Sequence, residues 1–474
     1  MIKNFKWLLL VSLTFVACNN DDEVTTKPNS SDGLPLTAGS ADFSKYVALG
    51  DSFAAGFSDN ALFIEGQKTS YPNIMAQQFA TVGGGVFTNP FMADNIGGFA
   101  GSTIYGPRLY FTGDSASPLA LVAGSSSTSI TAKLTGLYNN MGIPGAKVGD
   151  LDMPGYGSSL GNPYFTRFAS TPMATIVDDA VAQIPTFFSL YIGGNDVLGY
   201  ATAGGTGAGP TAPAVFDTKY AGLINKLTAG GRKGVVGNLP YVNTLPFFTT
   251  VPVNAITLNA GQVSALNSGY SSYNTALAGL ATAGVISQAE KTARTITFVV
   301  GQNTPVIIDE FLATDLTVIN PALVKMRQAT AADYLLLSAG GASTQAHLQA
   351  GGGTSTPLAD KWVLSAGEAN EIKVATDAYN ATIEATATTK GLAFANLKSV
   401  MNELITPSGI TANGFTLKSQ FIFGGAFSLD GVHPSPRGYA LIANSFTAAI
   451  NSKYGSNMAP VSFGDYRILF PSVL

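Results

Sequence analysis

A short apolar run, Tyr46-Val-Ala-Leu-Gly50, stops abruptly at Asp51-Ser52, and apolar residues then recur at helical spacing from Tyr71 to Ala80. A run this brief, ended by glycine and an acid, predicts a buried strand leading through a turn into a helix. The pattern returns along the chain. Pro185-Thr-Phe-Phe-Ser-Leu-Tyr-Ile192 ends at Gly193-Gly-Asn195-Asp196, and Lys233-Gly-Val-Val-Gly-Asn-Leu-Pro240 ends at proline. Helical patterns cover residues 219–228, 257–280, 365–388 and 438–452, and further strands are expected at 295–300, 305–308 and 392–395. Strands and helices that alternate in this way predict an α/β fold. Hydrophobic residues make up 46% of the 474 and charged residues 11%, which implies a large apolar core and excludes a disordered chain. Length alone is compatible with one large domain or with a domain carrying insertions. No repeat of fixed period is visible.

The turn at Asp51-Ser52 matters chemically because ligands of open α/β sheets bind at the carboxyl ends of the strands. A serine nucleophile needs a base near neutral pH, and histidine is the usual one. The chain has two histidines. His433 has an acid three positions upstream in Asp430-Gly-Val-His433. His347 lies in the glycine-rich stretch 340–353 without a nearby carboxylate. The expected base is therefore His433. Asn195 places a side-chain amide at the end of another strand, and Gly145, in Ile143-Pro-Gly145-Ala, exposes a backbone N–H; both suit a developing oxyanion. Taken singly, each of these motifs also reads as an ordinary turn or helix cap. The G-x-S-x-G match at Gly157-Ser-Ser159-Leu-Gly161 is a competing nucleophile motif. It requires a strand before it and a helix after it, but Met153-Pro-Gly-Tyr precedes and Asn162-Pro163 follows, so it reads as loop.

Taken in order, Leu49-Gly-Asp-Ser52, Ile143-Pro-Gly145-Ala, Gly193-Gly-Asn195-Asp196 and Asp430-Gly-Val-His433-Pro resemble the four motif blocks of the SGNH (GDSL) hydrolase family. The resemblance implies a three-layer α/β/α, flavodoxin-like fold with a central parallel sheet and long insertions. It implies Ser52 as nucleophile, His433 as base, Asp430 as its orienting acid, and Ser52 N–H, Gly145 N–H and the Asn195 amide as oxyanion hole. The activity implied is that of a serine esterase or lipase, with carbohydrate O-deacetylase or a non-catalytic surface-binding lipoprotein as alternatives. Two departures stand out: Phe53 occupies the usual leucine position, and the spacings between blocks are long. By the same reading Asp51 and Asp196 stabilise their turns and are not extra bases.

Lys3 and Lys6 precede an apolar stretch from Trp7 to Ala17, too short to span a bilayer but suited to a signal peptide. Its end, Phe15-Val-Ala-Cys18, resembles a bacterial lipoprotein signal, with the only cysteine of the chain at the lipidation site. The acidic run Asn19-Asn-Asp-Asp-Glu23 resembles surface-export signals of Bacteroidetes-like bacteria. The expected organisation is thus a signal peptide (1–17), a lipidated flexible tether (18–41), a hydrolase domain (42–456) with insertions at about 83–135 and 197–360, and a C-terminal tail (457–474). The expected location is extracytoplasmic, lipid-anchored at the bacterial outer membrane or cell surface. The expected partners are that membrane and a small-molecule or lipid ester. With Cys18 as the lone cysteine there is no structural disulfide, and with two histidines no zinc site is expected; a carboxylate calcium site stays open, although no EF-hand-like spacing appears, and no cofactor is expected. A net charge of −4 gives no basic footprint for nucleic acid. Phe87, Phe91, Met92, Phe99, Tyr105, Leu109, Tyr110 and Phe111 concentrate apolar area after the first block; packing onto the sheet is the favoured reading over an acyl pocket or lid.

Overall fold

The computed structural model describes residues 30–114, 117–337 and 344–474. Five strands form the central sheet: β1 (Tyr46–Gly50), β2 (Asn140–Gly142), β3 (Phe187–Tyr191), β4 (Lys233–Gly237) and β5 (Ala393–Ala395). All pairings are parallel, and the spatial order is β2-β1-β3-β4-β5. This is the flavodoxin-like order, which reverses direction between β1 and β3 and so opens a crevice at their carboxyl ends. The register there runs from Tyr46 opposite Phe187 to Gly50 opposite Tyr191. Every residue of β1 and β3 is buried, as expected of strands covered on both faces.

The covering helices, in chain order, are α1 (Ser52–Ala55), α2 (Tyr71–Ala80), α3 (Ile176–Ala182), α4 (Asn195–Thr202), α5 (Pro213–Thr228), α6 (Ala260–Thr282), α7 (Ala366–Lys390), α8 (Leu397–Leu404) and α9 (Pro436–Tyr454). Helices α2 and α9 pack together on one face of the sheet; α3, α5 and α7 cover the other, giving three layers. Local chemistry sets their starts. Ser365 and Glu368 form a reciprocal capping box at α7, and the Ser435 hydroxyl accepts the Gly438 N–H ahead of Pro436 at α9. In the core under α2, Phe43 stacks on Phe79 at 4.1 Å and Tyr46 on Phe87 at 5.0 Å. Met92 and Phe99 are buried in the same core, so these members of the aromatic segment pack the insertion onto the sheet.

A second apolar core gathers residues from Val251 to Val363 around α6. Because β4 belongs to the main sheet and α5 packs into the main core, this inserted body starts after β4 and not at the expected position near 197. Within it, Arg327 is buried between Asp309 and Asp333. Residues 295–300, expected as a strand, pair with no other strand among the described residues. Their backbone is held instead by side-chain amides of α6: Asn274 bonds both the N–H and the C=O of Ile296, and Asn267 does the same for Phe298.

Part of the expected tether, residues 30–41, is hydrogen-bonded to the domain. Ser31 N–H donates to Asn457 O, Thr37 N–H to Asn457 Oδ1 and Ser40 N–H to Tyr454 O, at the end of α9. Tyr454 in turn bonds Gly234 at the start of β4, the end of the sheet opposite Ser52. Residues 457–474 are also packed: Phe463 is buried, and Phe470 meets Phe63 edge-on at 4.9 Å.

Candidate active site

Ser52 follows β1 directly and opens the short helix α1, capped by Asp51, whose Oδ1 accepts the Phe53 N–H at 2.9 Å. The turn is tight. A Cβ on Gly50 would come within 2.5 Å of Tyr191 O, and one on Gly142 would overlap the backbone of Ala54 and Ala55. Glycine at these two positions lets α1 sit directly against β2 and β3.

The acid and the imidazole come from a small closed loop before α9. Ser428 N–H donates to His433 O, and Phe427 bridges Pro434. Inside it, Asp430 Oδ1 accepts the N–H groups of Val432 and His433, both at 2.8 Å, which turns the chain back on itself. That turn is why a spacing of three brings the two side chains together: His433 Nδ1 lies 2.9 Å from Asp430 Oδ2. On the other side of the ring, His433 Nε2 lies 2.8 Å from Ser52 Oγ. Phe57 and Phe53 flank the ring at 4.6 and 5.5 Å. Burial works against the Asp430 carboxylate, but the adjacent imidazole and the N–H donors outweigh it and hold its pKa below the usual value.

Gly145 is exposed, has φ +81°, and has open space where a Cβ would stand. Asn195 opens α4 after β3, and its Nδ2 donates to Ala146 O at 3.0 Å. Asp196 reaches to the same loop, accepting the Val148 N–H at 2.9 Å, so the Gly145 turn and the α4 start are joined by two bonds. Burial raises the pKa of Asp196, and burial drives Asp51 up to about 7. Asp51 caps its own turn, and Asp196 ties the start of α4 to the Gly145 loop.

The structure thus brings Ser52, His433 and Asp430 into one hydrogen-bonded run, with Gly145 and Asn195 on neighbouring turns at the strand ends. His347 is elsewhere, in a short helix (Thr344–Gln349), stacked on Trp362 at 4.9 Å. Ser159 is exposed in a run of turns with no strand before it. Cys18 lies outside the described residues.

Three contributors escape the sequence. Asn60 N–H donates to Asp430 Oδ2 at 2.9 Å, Asp59 Oδ1 accepts the Leu429 N–H, and the Ser428 hydroxyl accepts the Asp59 N–H. Together they clamp the loop after α1 onto the Asp430 loop. Asp59 and Asn60 have φ of 51° and 64°, a conformation that Asp and Asn tolerate better than most residues, and the adjacent Asp-Asn pair was the only available signal.

No family model matches the chain, and no curated protein matches it. Among solved structures it is similar to LAE5, an α/β hydrolase enzyme from the metagenome of Lake Arreo, Spain, at 10% identity and TM-score 0.36, over 87% of this chain and 96% of that one. It is similar to an extracellular lipase from Streptomyces rimosus at 12% identity and TM-score 0.32, over 86% and 98%. A phospholipase A1 from Streptomyces albidoflavus NA297 follows at 11% and 0.31, over 87% and 100%. Likeness at this level carries no argument, and the chemistry rests on the distances above.

Proposed function

We propose that this chain is an SGNH-type serine hydrolase that cleaves carboxylic esters through an acyl-serine intermediate. The single observation that carries the reading is the run from Ser52 Oγ to His433 Nε2 at 2.8 Å and from His433 Nδ1 to Asp430 Oδ2 at 2.9 Å. In that geometry His433 takes the hydroxyl proton at Nε2 as Ser52 Oγ attacks the ester carbonyl. Asp430 fixes the Nδ1–H tautomer and stabilises the imidazolium that forms. The tetrahedral oxyanion is met by the N–H groups of Ser52 and Gly145 and by the amide hydrogen of Asn195 that Ala146 does not use. The proton on Nε2 then passes to the leaving alcohol. Water, deprotonated by the same nitrogen, releases the acid and restores Ser52.

Fluorophosphonate labelling tests this reading. Wild type is expected to be labelled at Ser52 and Ser52→Ala to be blank; an unlabelled wild type, or equal labelling of both proteins, overturns it.

We also propose, on the sequence alone, that the protein is exported and lipid-anchored at Cys18. Cys18→Ser is expected to release it from membranes, and continued need for detergent would argue for a different anchor.

A further inference from the structure

Arg108 is fully buried, and none of its hydrogen bonds goes to a carboxylate. Its Nε donates to Asn95 O at 2.9 Å and its Nη2 to Pro471 O at 2.6 Å. The guanidinium lies over the rings of Phe63 and Phe470, at 5.1 and 5.9 Å, and these rings form a small separate core with Ala61. Burial pushes the Arg108 pKa down, and the nearby Asp59 carboxyl works against that shift. An apolar side chain of similar volume would fill such a place without the cost of burying a charge, so packing alone does not account for an arginine here.

The surroundings of Arg108 lead to the proposed triad from two sides. On the first, the Arg108 N–H donates to Ile96 O and the Leu109 N–H to Asp59 O, both at 2.8 Å. The Asp59–Asn60 turn is the one that grips Asp430 and Leu429. Its fit against residues 96–109 is close: a Cβ on Gly97, which has φ +94°, would come within 2.7 Å of the Ala61 side chain. On the second side, the segment after α9 is fixed to the start of that helix, just past His433. Arg437 Nε donates to Phe463 O at 2.9 Å and to Tyr466 O at 3.1 Å, and the Arg437 N–H donates to Arg467 O. Phe470 and Pro471 then carry this segment on to Arg108. The contacts close a ring, from the Asp430–His433 loop through Arg437, Phe470 and Arg108 to Asp59–Asn60 and back to Asp430.

We infer that Arg108 and Phe470 are positioning residues for the proposed triad: by closing this ring they hold the Asp59–Asn60 turn against Asp430 and so keep the carboxylate on His433 Nδ1. The inference rests on the reading of Ser52, His433 and Asp430 as the reacting groups. Arg108 donates to none of the three, so it acts only through the turn. Small misplacements of reacting groups cost rate steeply, whereas substrate affinity need not change. The role is therefore read in kcat.

The experiment compares wild type with Arg108→Ala, Phe470→Ala and the milder Phe470→Leu on p-nitrophenyl acetate, with kcat expressed per Ser52 labelled by a fluorophosphonate at completion. Labelling counts only folded, competent sites. A residue needed for folding alone therefore lowers the labelled amount and leaves kcat per site unchanged. Arg108→Ala and Phe470→Ala are each expected to lower kcat per site by about 10- to 100-fold with KM within about threefold of wild type. Phe470→Leu keeps an apolar cover over the guanidinium and is expected to recover most of that loss. Should Arg108→Ala give no labelled protein, the two Phe470 variants decide. Wild-type kcat per labelled site in every variant that labels, or a loss confined to KM, overturns the positioning role while leaving Ser52 as nucleophile. A wild type that is neither labelled nor active overturns both together.

Discussion

Asn60 donates its backbone N–H to Asp430 at 2.9 Å, on the oxygen that also faces His433 Nδ1. With the two N–H groups on its other oxygen, the carboxylate is surrounded by donors that favour its ionised form. The ring of His433 is thereby oriented from segments far apart in sequence.

Removing that ring is expected to abolish ester turnover. His433→Ala should lower kcat/KM by about 10,000-fold or more, whereas His347→Ala, stacked on Trp362 away from Ser52, should stay within about twofold. Steady-state kinetics on a short ester checks this, and the reverse ranking would reassign the base.

Asn195→Ala takes away one of the three proposed oxyanion donors. A fall of about 100 to 1,000-fold in kcat with a small change in KM is expected, since the oxyanion exists only after attack. Should KM rise instead with kcat held, Asn195 binds substrate and does not stabilise the transition state.

Gly142→Ala is expected to destabilise the protein by about 1–3 kcal/mol, because its Cβ would meet the backbone of α1, which cannot rotate away as a side chain does. The same displacement moves Ser52, so Tm and kcat should fall together. A normal Tm would show that α1 yields without cost.

Asp59 gives a pH signature. Burial, with the nearby Asp430 adding to it, pushes its pKa up to about 7 from 3.8. A carboxyl that is more basic when folded binds its proton more tightly in the native state. Its contribution to stability therefore falls as pH rises from the unfolded value towards 7, and is constant above. For this group alone the loss between about pH 5 and pH 8 is on the order of 2 kcal/mol. Asp59→Asn should flatten that slope in denaturant titrations at several pH values. An unchanged slope would mean that Asp59 is ionised throughout.

Much of this was legible because it lies in residue type and spacing. The runs ending at Gly50 and Ile192, and the Asp430–His433 interval, predict the sheet and the acid–base pair before any coordinates. Tyr71–Ala80 is the helix that its periodicity predicts. What was hidden lies in contacts that residue type does not encode. The Asn60 contact uses a backbone N–H, which every residue except proline carries. Residues 295–300 look like a strand because they are extended and apolar, but amides on α6 take the place of a neighbouring strand. The expected insertion at 197–360 swallowed β4, although the run 233–240 itself reads as a strand.

The docking of residues 30–41 beside Tyr454 fixes the polarity of the molecule. The polypeptide joins the domain at the floor of the sheet, and Ser52 stands at its roof. Residues 30–41 and the Ser52 hydroxyl thus lie at opposite ends of the parallel strands.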